Sequence, residues 1–246
     1  SVSAFLLNRS SDLEMICGQQ STCAITSAWQ QTDDIRDHML YFLENHDEQR
    51  IASSFFASDA LKGVPGLVVS ALLQQNPLMI YAGQEYGERG MDKEGFSGID
   101  GRTTIFDYWS VDTLVRAAKR KLTKDETALK DIYNKVINIA RSEKAVCEGT
   151  CFDLMYVNGQ YQRQYAFLRK AGSEVLLVVV NFDDLPTTMD VTIPAHAFDY
   201  LKLKERKNIT AVDLLSGKEI KRQLYRDCYV SVDLEPLGSV VLKFKS

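Results

Sequence analysis

Two short apolar runs stand out in the first half of the chain, Met39 to Leu43 (MLYFL) and Leu78 to Ala82 (LMIYA). Each is too short for a helix of its own, and each stops abruptly at a polar cluster. Continuous apolar runs of this length suit parallel strands covered on both faces. Between them, Leu61, Val64, Leu67, Val68, Ala71 and Leu72 recur at helical spacing, which predicts a helix from Asp59 to Gln75. Asp59 can accept an unpaired amide of the first turn. Pro65 lies inside the pattern and should bend this helix or delay its start. Strand, helix, strand over this span is a βαβ unit. Upstream, Ile25, Ala28, Trp29, Thr32 and Ile35 share one helical face, and His38 falls at the helix end.

Residues 83–124 form a long glycine-bearing connection with an aromatic cluster at Phe106, Tyr108 and Trp109. A helix is expected next, from Asp125 to Arg141, with Thr123 and Glu126 as a capping box. Its buried stripe would be Leu129, Ile132, Tyr133, Val136, Ile137 and Ala140. Beyond about residue 148 the pattern changes to short β-rich runs. These are Tyr165–Arg169, Val175–Phe182, Thr188–Ile193, Ile209–Leu215, Tyr229–Leu234 and Ser239–Phe244, with turn signals at Ala171-Gly172 and Ser216-Gly217. The spacing predicts an antiparallel β-sandwich. The domain boundary therefore falls between 147 and 148, giving units 1–147 and 148–246.

Composition narrows the function classes. The 246 residues are 45% hydrophobic and 25% charged, an ordinary globular balance. The formal net charge of -4 argues against a broad nucleic-acid-binding surface. No apolar run approaches the ~18 residues of a membrane-spanning helix. The five cysteines are odd in number and form no Cys-x-x-Cys pair, so free thiols in a reducing compartment are expected, with a local Cys147–Cys151 bridge as the alternative. The three histidines are far apart and match no zinc spacing, so no metal or other cofactor is expected in this chain. The first residues lack the form of a signal peptide, which together with the cysteines favours the cytoplasm.

Chemistry is expected where the apolar runs end, because ligands in parallel α/β folds sit at the carboxyl ends of strands. Asn45, His46 and Asp47 occupy one such end, and Glu85 the other. An Asp there can accept hydrogen bonds from hydroxyls or hold a negative charge beside a developing cation, and a neighbouring His can donate to the same ligand. A solvated turn is the plain alternative for the first cluster, and a carboxylate satisfied by local amides for Glu85. Arg50 can pair with a carboxylate at the rim, touch a ligand, or simply face solvent. Tyr86, Phe106, Tyr108 and Trp109 can stack on a ligand or pack the loop. His196 has no acidic or cysteine partner near it in sequence, and no role follows for it.

The segment Phe42-Leu43-Glu44-Asn45-His46-Asp47 resembles the fourth signature region of the α-amylase family, glycoside hydrolase family 13. Pro77 to Glu85, reading PLMIYAGQE, resembles the family's eighth barrel strand. Asp100 to Trp109, reading DGRTTIFDYW, resembles the loop that follows it. The resemblance runs in order over about residues 20–246. It implies a partial (β/α)8 barrel, its last two strands and flanking helices, followed by the antiparallel β-sandwich. It implies an α-glucan or maltooligosaccharide substrate, with Asp47 as the carboxylate that stabilises the transition state. His46 would hydrogen-bond the same sugar, with Asn45, Arg50 and Glu85 as further substrate-binding candidates. The family's nucleophile motif Gly-x-Arg-x-Asp and its acid Glu are not found, and neither is the inserted domain that often carries calcium in relatives. The chain is therefore expected to be the C-terminal portion of a retaining hydrolase, inactive alone. Its exposed strand edges would be covered by the missing barrel half or by self-association. The alternatives are a carbohydrate-binding accessory fragment, or a transglycosylase or α-glucosidase of the same family.

Overall fold

A computed structural model describes residues 14–91, 99–106 and 110–244. Helices fill the first part: α1 (Cys23–Gln31), α2 (Val64–Leu72), α3 (Asp112–Ala118), α4 (Lys124–Ser142) and α5 (Lys144–Cys147). Strands dominate afterwards: β1 (Thr150–Asp153), β2 (Gln164–Ala171), β3 (Glu174–Asn181), β4 (Thr187–Ile193), β5 (Arg206–Asp213), β6 (Glu219–Leu224), β7 (Cys228–Leu234) and β8 (Ser239–Phe244). Two short helices interrupt them, α6 (Met155–Asn158) and α7 (Ala195–Leu201). Among the described residues, no helix is long and apolar enough to cross a membrane.

Local chemistry sets the helix limits. The Asp59 carboxylate accepts the Leu61 N–H at 2.9 Å and starts a 3-10 turn, Ala60–Gly63. The α-helix then begins at Val64 with Pro65 in its first turn, where a missing N–H breaks no intrahelical bond. All nine residues of α2 are buried, as a helix apolar on every side requires. It packs against α4 and β3. The predicted capping box opens α4: the Thr123 hydroxyl accepts the Glu126 N–H, and the Glu126 carboxylate accepts the Thr123 N–H.

The two apolar runs read as parallel strands meet at one parallel bridge, between Tyr41 and Leu78. The Tyr41 N–H donates to the Pro77 carbonyl at 2.9 Å, and the Met79 N–H to the Tyr41 carbonyl at 2.8 Å. This corrects the expectation of two full barrel strands. The architecture seen is mixed helix and antiparallel sheet, with one bridge where a barrel wall was expected. A parallel pair without flanking strands gathers too few of its slanted hydrogen bonds to extend further. The long connection holds a 3-10 turn at Gln84–Tyr86 and α3. Tyr108 and Trp109 lie outside the described residues.

Six strands form one antiparallel sheet in the order β1-β2-β3-β8-β5-β6, and β4 pairs with β7 in a second. β7 packs on β3 and β8, burying Cys228, Val230, Val232 and Leu234 in strict alternation. Central β3 is buried from Val175 to Asn181, because α2 covers the sheet's other side. All six strands expected from the pattern are present; β1, β6 and α7 were not anticipated. The polar β6 (EIKRQL) is an edge strand, and charge on an open edge blocks further pairing.

The helices and the sheets share one continuous core, from Ile25 and Leu67 to Val178 and Val241. Two polar groups, one buried and one half-buried, fix the junction. Arg169 of β2, 1% exposed, donates to the carbonyls of Leu73 (2.8 Å), Ala145 (3.0 Å), Val146 (2.6 Å) and Gly149 (3.0 Å). These carbonyls lie at the ends of α2 and α5, where backbone acceptors have no helical partner. On β1, the Asp153 carboxylate accepts from Thr26 Oγ1 (2.5 Å), Trp29 Nε1 (3.2 Å), Tyr165 Oη (2.5 Å) and the Met155 N–H (2.6 Å). Burial pushes the neighbouring Cys151 thiol up to about 12, against the pull of the Arg169 charge, so this thiol stays protonated at neutral pH.

Arg169→Met keeps the volume and strands those helix-end carbonyls. At ~1–3 kcal/mol for each buried group left unpaired, urea denaturation should show a loss of about 3 kcal/mol or more. A loss below about 1 kcal/mol would remove Arg169 as the tie between helices and sheet.

Candidate functional site

Asn45, His46 and Asp47 sit at the carboxyl end of the extended segment 39–43. Asn45 turns the backbone: its side-chain oxygen accepts the N–H groups of Asp47 (2.8 Å) and Glu48 (3.0 Å). The turn projects both following side chains outward. His46 is 53% and Asp47 70% exposed, with His46 Nε2 3.5 Å from Asp47 Oδ1. An exposed imidazole and carboxylate side by side offer a donor and an acceptor to a hydroxylated ligand.

Beneath this pair lies a buried frame. Glu44, the residue after the apolar run, accepts from Arg50 Nη1 at 2.7 Å and from the Ile51 N–H at 2.7 Å. Arg50 also donates to Thr103 Oγ1 through Nε (3.0 Å) and Nη2 (2.6 Å), and to the Ala82 carbonyl (2.7 Å). Its guanidinium lies 4.2 Å from the centre of the Tyr81 ring. One side chain thus joins the loop after the first apolar run, the end of the second, and the loop at 100–103. Burial pushes the Glu44 carboxyl above its ordinary value, against the pull of Arg50.

Arg50 was expected on the sugar or at the rim. The structure puts it under the site, 1% exposed, with its guanidinium bonded to Glu44, Thr103 and Ala82. Its described hydrogen bonds all go to protein groups beneath the turn. Glu85 accepts the Gly83 N–H at 3.1 Å inside its own turn, the local arrangement weighed for it above. Among the described residues, no hydrogen bond or ion pair joins Glu85 to His46 or Asp47. His196 packs edge-on against Phe152, with ring centres 5.5 Å apart, far along the chain from the site.

Pattern reading did not single out Glu44, Glu88, Thr103 or Arg102. A charged residue directly after a fully buried run was the available signal for Glu44. Arg102 is clamped by Asp100 through Nε (2.9 Å) and Nη2 (2.7 Å), and its charge also interacts with Glu48 and Asp47. The loops approach closely at Gly101: the Arg50 N–H donates to its carbonyl at 2.6 Å, and its N–H donates to Gly90 at 3.0 Å. Gly101 has φ +81°, and a Cβ there would lie 2.1 Å from Ser53 Oγ, so only glycine fits.

Glu88 holds the next loop. It accepts from Thr113 Oγ1 (2.5 Å), the Thr113 N–H (3.3 Å), and the N–H groups of Arg89 (2.8 Å) and Gly90 (2.9 Å). Burial alone would raise its pKa. The Thr113 hydroxyl, the Gly90 and Thr113 amides and the Arg50 charge outweigh burial and hold it below 4.5. Many relatives bind calcium, as the resemblance implies. Among the described residues no group of three or more His, Cys, Asp or Glu is placed to hold a metal ion.

The depressed Glu88 value gives stability that is present above 4.5 and lost as pH falls through the folded-state pKa. Glu88→Gln should be less stable by about 1–2 kcal/mol at neutral pH. In urea denaturation the gap to the native protein should shrink as pH drops below 4.5. An equal gap at about pH 3 and pH 7 would show that the ionised carboxylate contributes nothing.

Residues 6–147 match the family model for the α-amylase catalytic domain. No curated protein sequence gives a significant match. Among solved structures, AmyP in complex with maltose superposes with a TM-score of 0.69 at 17% identity, covering 94% of this chain and 47% of its own. An α-amylase from Anoxybacillus gives 0.65 at 14%, covering 98% and 48%. CldA, a cyclomaltodextrin glucanotransferase with a three-domain ABC distribution, gives 0.61 at 16%, covering 96% and 43%. At these identities the structural likeness is one of fold, and the chain spans about half the length of each. With its catalytic-domain match over residues 6–147, more than half of the sequence, the chain belongs to the α-amylase family.

Proposed function

We propose that this chain supplies part of the active site of a retaining α-glucan hydrolase, with Asp47 as the carboxylate that stabilises the transition state. One observation carries most of the weight: Asp47 and His46 stand exposed on a turn whose two flanks are locked by the buried Glu44–Arg50 pair. Cleavage of a glycosidic bond builds positive charge at the anomeric carbon, and a fixed carboxylate beside it lowers the barrier. His46 donates to a hydroxyl of the same sugar, and Asn45 keeps the turn that presents both. Glu85 stands as a further ligand contact at the end of the second apolar run. Arg50 acts through the loops it holds.

Retaining hydrolysis also needs a carboxylate nucleophile and an acid/base held ~5–5.5 Å apart. Neither family motif occurs in this sequence, so both groups come from elsewhere in the complete enzyme. The remaining barrel strands then pair with the free edges of segments 39–43 and 78–82, and residues 148–246 form the separate sandwich. The substrate is a maltooligosaccharide, as in the maltose complex of AmyP. The five free cysteines fit a reducing compartment. A glucanotransferase of the same family is the second reading, favoured by the likeness to CldA. It would use the same Asp47.

A chromogenic maltooligosaccharide should be stable in the presence of the 246-residue chain. Turnover at the rate of an intact amylase would refute catalytic incompleteness. In the complete enzyme, Asp47→Asn should cut kcat by about 10²–10³-fold with a small change in KM. A variant retaining full kcat would take Asp47 out of the mechanism. Transfer to a sugar acceptor in preference to water, read from the product distribution, would select the second reading.

A further inference from the structure

The β-rich half carries a group of cations remote in sequence from the candidate site. Lys170 near the end of β2, Lys202 at the end of α7, Lys204 just before β5 and Arg206 at its start line one cavity of about 280 Å3. Gly172 and Ser173 of the turn between β2 and β3 also line it, together with the buried apolar side chains of Leu224 and Phe244. Among the described residues, no carboxylate lines this cavity. In a chain of net charge -4, four cations without an acid among them are unexpected.

The carboxylates nearest in sequence are engaged elsewhere. Glu174 accepts the Ala145 N–H at 2.8 Å and pairs with Lys243 at 3.0 Å. Asp199 and Glu205 both pair with Arg226, at 2.8 and 3.1 Å. Among the described residues, none of the four cavity cations makes a side-chain hydrogen bond or ion pair. Lys202 has a local explanation, since it caps α7 at φ 51° and a helix C-terminus favours a cation. Lys170, Lys204 and Arg206 have none. Solvated lysines are ordinary on a surface. These converge on a concavity of ligand size, where like charges raise the local potential until an anion enters.

We propose that this cavity binds a phosphate-class dianion, presented either by inorganic phosphate or by a phosphorylated sugar. A phosphoryl group carries up to two charges and several acceptor oxygens in a small volume, which matches three or four cations better than a single carboxylate does. Arg206 offers a forked pair of donors to two oxygens, and the lysines act as point charges. The buried apolar lining of Leu224 and Phe244 lowers the local dielectric and strengthens each contact. The site stands independently of the proposed glucan chemistry.

Isothermal titration of the full chain with inorganic phosphate, glucose 6-phosphate and glucose, at ionic strength fixed with chloride, tests the site. Phosphate-bearing ligands should bind saturably at one site, and glucose should not. Tighter binding of glucose 6-phosphate assigns the site to a phosphorylated sugar; equal binding assigns it to the phosphoryl group alone. Lys204→Gln and Arg206→Gln, made separately and together, should weaken binding by about tenfold or more in the double variant. All three residues of interest for charge apart from Lys202 are off the helices, so the ligand-free melting temperature should hold. No saturable binding at millimolar phosphate, or unchanged affinity in a folded variant, would overturn the proposal.

Discussion

The helical part of this molecule depends on a guanidinium that has no carboxylate partner. Arg169 reaches from β2 into the ends of α2 and α5 and donates to four backbone carbonyls there. Helix C-termini carry unpaired acceptors and a partial negative charge, so one buried cation satisfies both needs. Burial lowers its pKa, and the neighbouring thiol of Cys151 is pushed up, so the two remain a cation and a neutral thiol. The Asp153 carboxylate performs the reciprocal task, collecting donors from α1, β2 and its own turn. The parallel pairing between the two apolar runs amounts to one bridge. Packing against the sheet therefore holds the helices where strand pairing does not.

The candidate site uses the opposite electrostatic solution, a true ion pair. Desolvating Glu44 and Arg50 costs several kcal/mol, and their attraction offsets that only with good geometry and further hydrogen bonds. Both conditions are met through Thr103, the Ile51 N–H and the Ala82 carbonyl. The benefit is geometric. Glu44 and Arg50 bracket Asn45, His46 and Asp47, so both ends of the exposed turn are fixed from below. The exposed donor and acceptor are thereby carried on a braced turn. Gly101 lets the third loop close onto this frame at a distance no side chain would allow.

Much of this was legible from pattern. The Thr123–Glu126 box, the Asp59 cap and the six main strands appear as read, because each rests on contacts near in sequence or on strict alternation of burial. The polar edge strand β6 and α7 escaped: β6 is mostly exposed, and α7 is only seven residues long. Arg50 shows the deeper difficulty. An arginine after a polar cluster reads as a rim or surface residue, and its burial depends on Thr103 and Ala82, far away along the chain. Glu44 was hidden in the same way, inside a motif whose visible chemistry lies one to three residues later.

By itself the sequence determined the family, the helix starts, the strand alternation and the turn that carries His46 and Asp47, all of which follow from residue type and short-range spacing. Only the tertiary structure decided which charges are buried, which loops share one guanidinium, and that the apolar runs are joined by a single bridge. Those outcomes depend on which distant donors and acceptors arrive together once water is excluded. A buried charge is tolerable only where such partners converge, and no local pattern records that convergence.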